Sequence, residues 1–311
     1  MSKHFISYSL LAFFVGAAHT HANEGAVASP KEGSADMISE GFENGGWNAP
    51  HSRGFTPGLN KGIPEGFMFN QLQGNHSFEL EDKIVREGNY SAKLVWYHKH
   101  PAKFNGDERK VDNVDRKAMF HGFKTKKVLG AEAWYGFSFF FPADGTANEP
   151  NHWLFFQIHG SADKRLNEHS RNPPFYISLD EKGLFGSWKW DPDEKSITRS
   201  GKGTESYRVP GKKSDYLGRW VDFVVHVRVD YSDSKTGLIE LWVDGKKVLN
   251  KHNIQFGYND DNGIYPSWGM YFNGDLSVMQ NDHYLYLDEI KMTDEKNANY
   301  ETVAPKLLKA K

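Results

Sequence analysis

The chain has 311 residues with 38 Lys and Arg, 40 Asp and Glu, a formal charge of −2 and no cysteine. That balance excludes a global basic field for nucleic acid, and the missing thiols exclude disulfides. A chain of this length buries a full core without such staples.

The first residues read as a secretory signal. Lys3 gives a positive start, Ile6 to Ala18 is apolar, and Thr20-His21-Ala22 offers a small-x-small cleavage site. The signal covers residues 1–22 and implies a secreted or periplasmic protein with no membrane contact after cleavage. An uncleaved anchor is the alternative, although the apolar run is short for a bilayer span. Residues 23–40 are small, polar and rich in Gly, Ala and Ser, the composition of a flexible leader. No linker, charge block or repeat divides residues 41–300, so one domain is expected, and 301–311 form a C-terminal tail. A monomer is the expected oligomeric state.

Strand patterns then follow one another. Tyr90 to Tyr97 alternates, Ala133 to Phe141 is a long aromatic strand stopped by Pro142, and Trp153 to His159, Phe175 to Leu179 and Leu184 to Trp190 succeed it. Trp220 to Asp230 sends Val221, Phe223, Val225, Val227 and Val229 one way and Asp222, Val224, His226 and Arg228 the other. Ile239 to Val243, Asp244-Gly245 and Lys246 to Leu249 read as a tight hairpin with a primed turn. Trp268 to Asn273 and Tyr284 to Met292 complete the set, and helical periodicity is confined to Pro305 to Lys311. Many short strands separated by Gly, Pro, Asn and Asp predict an all-β, two-sheet sandwich or jelly roll.

The sharpest chemical signal is Gln157-Ile158-His159. Alternation sends Leu154, Phe156 and Ile158 into the core and gathers Trp153, Phe155, Gln157 and His159 on the other face. An amide and an imidazole beside aromatic rings suit binding a sugar ring and moving a proton on it. Later, Tyr271 lies on one face of its strand with Gly269 behind it.

A Gln-Ile-His strand followed by Tyr265-x-x-x-Gly269-x-Tyr271 resembles the jelly-roll polysaccharide lyases, notably alginate lyases. Trp134 to Phe139 closed by Pro142, Gly218 to His226, Leu241 to Lys246 and Tyr286 to Ile290 resemble the glucuronan lyase and heparin lyase I group. The resemblance implies a concanavalin A-like β-jelly-roll sandwich with a concave substrate groove. It also implies an endo-acting lyase that cleaves a uronate polysaccharide by β-elimination, leaving unsaturated uronate ends.

Such an enzyme removes the proton alpha to the sugar carboxylate and expels the glycosidic oxygen from the neighbouring carbon. It needs donors or cations on the carboxylate, a base and an acid. By resemblance Gln157 donates to the carboxylate, His159 serves as base, and Tyr271 serves as acid or in both roles. Arg116 is the expected cation, with Arg109 as its fallback. Only Arg116 meets the Arg-x-Glu-x-Arg strand of alginate lyases, and Ser267 stands where their tyrosine motif has lysine. Trp153, His121, His226, Arg228, Trp268 and Asn273 are the expected substrate-binding residues.

No cofactor is required for this chemistry. A structural calcium ion is a separate expectation, at Asp260 and Asp261 in an oxygen-rich turn, with Glu43 and Asp288 as a second pair. The expected partner is an anionic polysaccharide, a glucuronan-like polymer first and alginate second, since dense sulfate would want more Arg and Lys. Two other readings stay open. A glycoside hydrolase needs paired carboxylates, and the run Glu-x-Asp-x-x-Glu is missing here. A non-catalytic carbohydrate-binding protein would use Trp153, Trp188, Trp190 and Trp268 as platforms.

Overall fold

Period-two alternation of large apolar side chains gives each strand one face to bury, and two sheets stacked face to face satisfy all of them. The computed structural model describes residues 37–44, 67–73, 75–98, 103–104, 107–108, 116–123, 125, 129–145, 153–272 and 279–306. Its strands are β1 (Ile38–Glu40), β2 (Phe67–Leu72), β3 (Phe78–Glu81), β4 (Ser91–Trp96), β5 (Lys103–Phe104), β6 (Asp107–Glu108), β7 (Lys117–Gly122), β8 (Glu132–Phe140) and β9 (Trp153–Ser161). Then follow β10 (Phe175–Asp180), β11 (Gly183–Asp191), β12 (Gly203–Arg208), β13 (Trp220–Arg228), β14 (Gly237–Val243), β15 (Lys246–Ile254), β16 (Gly257–Tyr258), β17 (Asn262–Phe272) and β18 (His283–Thr293). Helix α1 (Tyr300–Val303) closes the described chain.

The back sheet runs β15-β14-β13-β8-β18-β4-β3, with β1 also on β18. The front sheet runs β12-β11-β10-β9-β17-β7-β2, with β16 parallel to β11. Neighbours far apart in sequence, such as β8 with β18 and β9 with β17, make this a β-sandwich jelly roll. Residues 38–40 are therefore part of the sandwich as β1 rather than the end of a leader. A helical turn forms at Tyr300–Val303, and residues 307–311 of the helical segment expected at Pro305 to Lys311 lie outside the described residues.

β8 and β9 stand at the centres of the two sheets, and their rings meet. Phe137 and Phe156 lie 4.6 Å apart between centroids, Phe139 and Phe155 5.2 Å, and Phe155 and Phe223 5.3 Å. Along β13, Val221, Phe223, Val225 and Val227 are fully buried, as alternation requires. The β14–β15 hairpin turns at Asp244-Gly245 with φ values of 49° and 76°, the left-handed pair of a primed turn.

One irregularity redirects the central front strand. Against β10, Phe156 pairs Ile177 while Leu154 pairs Ser178, so β9 carries an extra residue, Phe155, at that point. A bulge of this kind resets alternation. Phe155 joins Phe156 and Ile158 in the core, Trp153 joins them from the other side of the bulge, and Leu154 lies outside the core cluster. The expected grouping of Trp153 and Phe155 with Gln157 and His159 is corrected accordingly.

On the back sheet, the side chain of Arg86, 2% exposed, forks onto Asp222 at 3.0 and 2.7 Å, and Ser138 donates to the same carboxylate. Removing one partner of a buried pair strands the other charge. Asp222→Ala is expected to lower stability by about 3–5 kcal/mol, the usual cost of such an orphan. Urea unfolding checks this, and an unchanged midpoint would contradict it.

Candidate functional site

The strand registers bring a polar row together on the outer face of the front sheet. Phe69 of β2 stands opposite His121 of β7, His121 opposite Ser267 of β17, Ser267 opposite Gln157 of β9, and Gln157 opposite Tyr176 of β10. One step along, Tyr265 stands opposite His159. These residues share a face because their inward neighbours, Phe120, Trp268, Phe156, Ile158 and Phe175, are all fully buried in the core.

His121 is 2% exposed and stacks on Phe69 at 4.1 Å. Its Nδ1 is 2.7 Å from Ser267 Oγ, and its Nε2 is buried without a hydrogen-bond partner. Burial pushes its pKa well below the ordinary value, and the charges of Lys117 and His159 push the same way. His121 is therefore a neutral imidazole. Gln157 is 2% exposed, and its Oε1 also has no hydrogen-bond partner. Orphaned buried polar atoms are costly in a finished fold and common where a ligand completes the bonding.

His159 Nδ1 lies 2.6 Å from the Gly160 carbonyl oxygen. A carbonyl only accepts, so Nδ1 carries the proton and the neutral ring keeps its lone pair on Nε2. The Tyr265 ring stacks on His159 at 5.5 Å, and desolvation raises the Tyr265 pKa, which keeps it a phenol. An imidazole and a phenol thus stand side by side.

Tyr271 lies four residues beyond Ser267 on β17, about 13 Å along the strand at roughly 3.3 Å per residue. Its register partner is Lys117, whose Nζ lies 4.6 Å from the Tyr271 ring centroid and donates to Gln71 Oε1 at 2.8 Å. Burial draws the Lys117 pKa down to about 8. The cation beside Tyr271 is Lys117 rather than Arg116, for a reason of parity. Arg116 stands one residue earlier, at the level of the core residue Phe272, whose N–H bonds to the Arg116 carbonyl.

Other expected site residues lie elsewhere. Trp153 and Trp268 are core residues, 4% and 0% exposed, with Trp268 against Phe67, Phe137 and Phe156. Trp188 is also in the core and Trp190 packs against it, so the four tryptophans offered as sugar platforms all serve the sandwich interior. His226 and Arg228 belong to β13 of the back sheet. His226 stacks on Trp134 at 3.7 Å between Glu240 and Glu132, and Arg228 is bonded to the Thr236 carbonyl. Glu240 is raised by desolvation, but hydrogen bonds from His226, Lys247 and His252 outweigh this and hold it at about 2. Asn273 and Arg109 lie outside the described residues.

The calcium expectations fall on two separate places. Asp260 gathers with Asp163 and Glu168, with one carboxylate oxygen of each within 4.8 Å of the others. The buried Arg171 guanidinium bonds to both Glu168 and Asp260 and supplies positive charge there. Asp261 instead forms an exposed fork with Arg165. Glu43 accepts from the backbone of Asn89 and Tyr90, and Asp288 from that of Arg86, Glu87 and Glu289. Burial raises Asp288 to about 7 against those bonds.

Sequence reasoning missed Tyr265, Lys117 and Ser267 as site members. The signal was present in parity: Tyr265, Ser267, Gly269 and Tyr271 alternate on β17, and Lys117, Met119 and His121 on β7.

Comparison with known proteins bears on the family and the fold. A family model described as polysaccharide lyase matches residues 59–291. No curated protein matches. Among solved structures, an endo-β-1,4-glucuronan lyase from the fungus Trichoderma reesei is 16% identical, with a TM-score of 0.59 over 77% of this chain and 94% of that one. An alginate lyase from Aplysia kurodai is 13% identical, with a TM-score of 0.45 over 70% of this chain and 87% of that one. The likeness to the glucuronan lyase is one of fold, whereas the family match spans most of the chain's length: this protein belongs to the polysaccharide lyase family.

Proposed function

We propose that this lyase is an exported, endo-acting enzyme that cleaves uronate polymers by β-elimination on the outer face of its front sheet. A glucuronan-like chain is the first substrate and alginate the second. The observation that carries the reading is the His159 tautomer: Nδ1 is tied to the Gly160 carbonyl, and Nε2 keeps the lone pair beside the half-buried Tyr265 phenol.

In this reading the Gln157 amide donates to the uronate carboxylate, so the proton on the adjoining carbon becomes acidic enough to remove. His159 Nε2 takes that proton. Tyr265, held as a phenol by burial, donates to the departing glycosidic oxygen. The buried His121 Nε2 offers a further polar contact to the sugar, and Lys117 lends positive potential. A second reading gives the proton transfers to Tyr271, because Lys117 beside its ring favours phenolate. The fold likeness to a glucuronan lyase supports glucuronate as the first substrate to try.

Incubation with glucuronan, alginate and heparin tests the reaction class. Elimination creates an unsaturated uronate that absorbs in the ultraviolet, and the absorbance is expected to rise with at least one polymer. Reducing ends released from a neutral glucan, with no absorbance on any uronate, would overturn the reading.

Tyr265→Phe and Tyr271→Phe separate the two acid–base assignments. Loss of about a hundredfold or more in kcat, typical for a removed general acid, is expected for Tyr265→Phe and a smaller loss for Tyr271→Phe. The reverse order would move the chemistry to Tyr271 and Lys117.

Lys117 is cationic below about pH 8 and neutral above it. Wild-type kcat/KM is therefore expected to fall as pH rises through about 8, and Lys117→Arg, which stays charged, to lose that limb. A limb that persists in Lys117→Arg would assign it to another group.

A further inference from the structure

A second lysine shares this face. Lys189 of β11 is 7% exposed; its Nζ donates to Ser187 Oγ at 2.7 Å and lies 4.8 Å from the Tyr176 ring centroid. No carboxylate pairs with it among the described residues. Its setting repeats that of Lys117, which also rests on a tyrosine ring and donates to one neutral oxygen. Burial without a counter-charge draws both ammonium groups down to about 8. A buried ammonium with no partner is costly to a fold, and a carboxylate brought by a ligand removes that cost.

The register fixes where Lys189 stands. Phe175 pairs both Ile158 and Trp188, and the Lys189 N–H bonds to the Pro174 carbonyl at 2.8 Å. Lys189 is therefore level with His159 and two strands away, about 10 Å at roughly 4.8 Å per strand. Pro174 stands between them, and Tyr176 and Ser187, two residues along at the level of Gln157, carry no charge. A chain laid across the strands from His159 would next bring its sugars over Tyr176 and Lys189.

We propose that Lys189 is the carboxylate-binding cation of a separate uronate subsite, two strands from His159, stacked with Tyr176 and selecting chains that carry a second uronate beyond the one being cleaved. This rests on the reading of the site as a uronate lyase. Its meaning for substrate choice is direct: a polymer whose acid sugars are widely interrupted by neutral ones would satisfy the catalytic row and leave Lys189 unpaired.

Steady-state kinetics on glucuronan with Lys189→Met and Lys189→Arg tests it, and thermal unfolding of each variant accompanies the assay. The expected result is a KM raised about tenfold in Lys189→Met with kcat within about twofold, and recovery of most of the lost affinity in Lys189→Arg. If the methionine lowers the unfolding temperature, Lys189→Gln is read in its place. An unchanged KM, or a fall in kcat that arginine does not rescue, would overturn the subsite. Calorimetric titration of wild type and Lys189→Met with the same polymer keeps the two readings apart. A wild type that makes no unsaturated product removes the lyase reading. The subsite then stands if the titration shows weaker binding by Lys189→Met, and falls if both bind equally or neither binds.

Discussion

One extra residue in the central strand of the front sheet, Phe155, governs what that strand shows to each side. A strand with strict alternation could give its large rings to only one face. The bulge lets Trp153, Phe155, Phe156 and Ile158 all enter the core while Gln157 and His159 remain outside. Phe155 and Phe156 then meet Phe139 and Phe137 of the opposite sheet. The polar pair is thus mounted on the central strand of the front sheet, where its backbone cannot shift without disturbing the aromatic centre. Catalytic groups on a rigid strand hold their geometry better than groups on a loop.

The neighbouring strand bulges at the same level. Against β9, Trp268 pairs Phe156 and Tyr271 pairs Leu154, so β17 also carries an extra residue there. Gly269 takes a φ of 134° at this point, and a Cβ would press into the Ala118 carbonyl. Against β7 the register stays regular, which keeps His121 beside Ser267 and Lys117 beside Tyr271. Two matched irregularities therefore let three strands run together across the site while keeping Trp268 and Met270 inside.

Much of the sandwich was legible because its evidence is local. β13 and the β14–β15 hairpin follow from alternation and from Asp244-Gly245, and both appear where the sequence put them. Parity decided less well where it depended on a distant partner. Arg116 and Lys117 differ by one position, and only pairing with β17 shows which faces outward. Nothing along β9 announces the bulge, because a bulge is defined by the register of β10. His226 sits on a cleanly alternating strand, but alternation does not reveal which sheet a strand joins, and β13 belongs to the back one. The tryptophans misled for the reason that makes them useful elsewhere: a large ring serves a core and a sugar equally well.

Around Gln157 the described face holds its charge in two desolvated lysines, Lys117 and Lys189, and its polarity in Gln157, His121 and His159. That combination fits a ligand that brings its own negative charge. The most direct measurement is a crystal structure of the Tyr265→Phe protein with a bound glucuronate oligosaccharide. The account predicts the sugar chain across the strands of the front sheet, with a carboxylate at Gln157 and His159 Nε2 turned toward the adjoining carbon. A sugar chain bound on the back sheet, or on the front sheet away from Gln157 and His159, would contradict it.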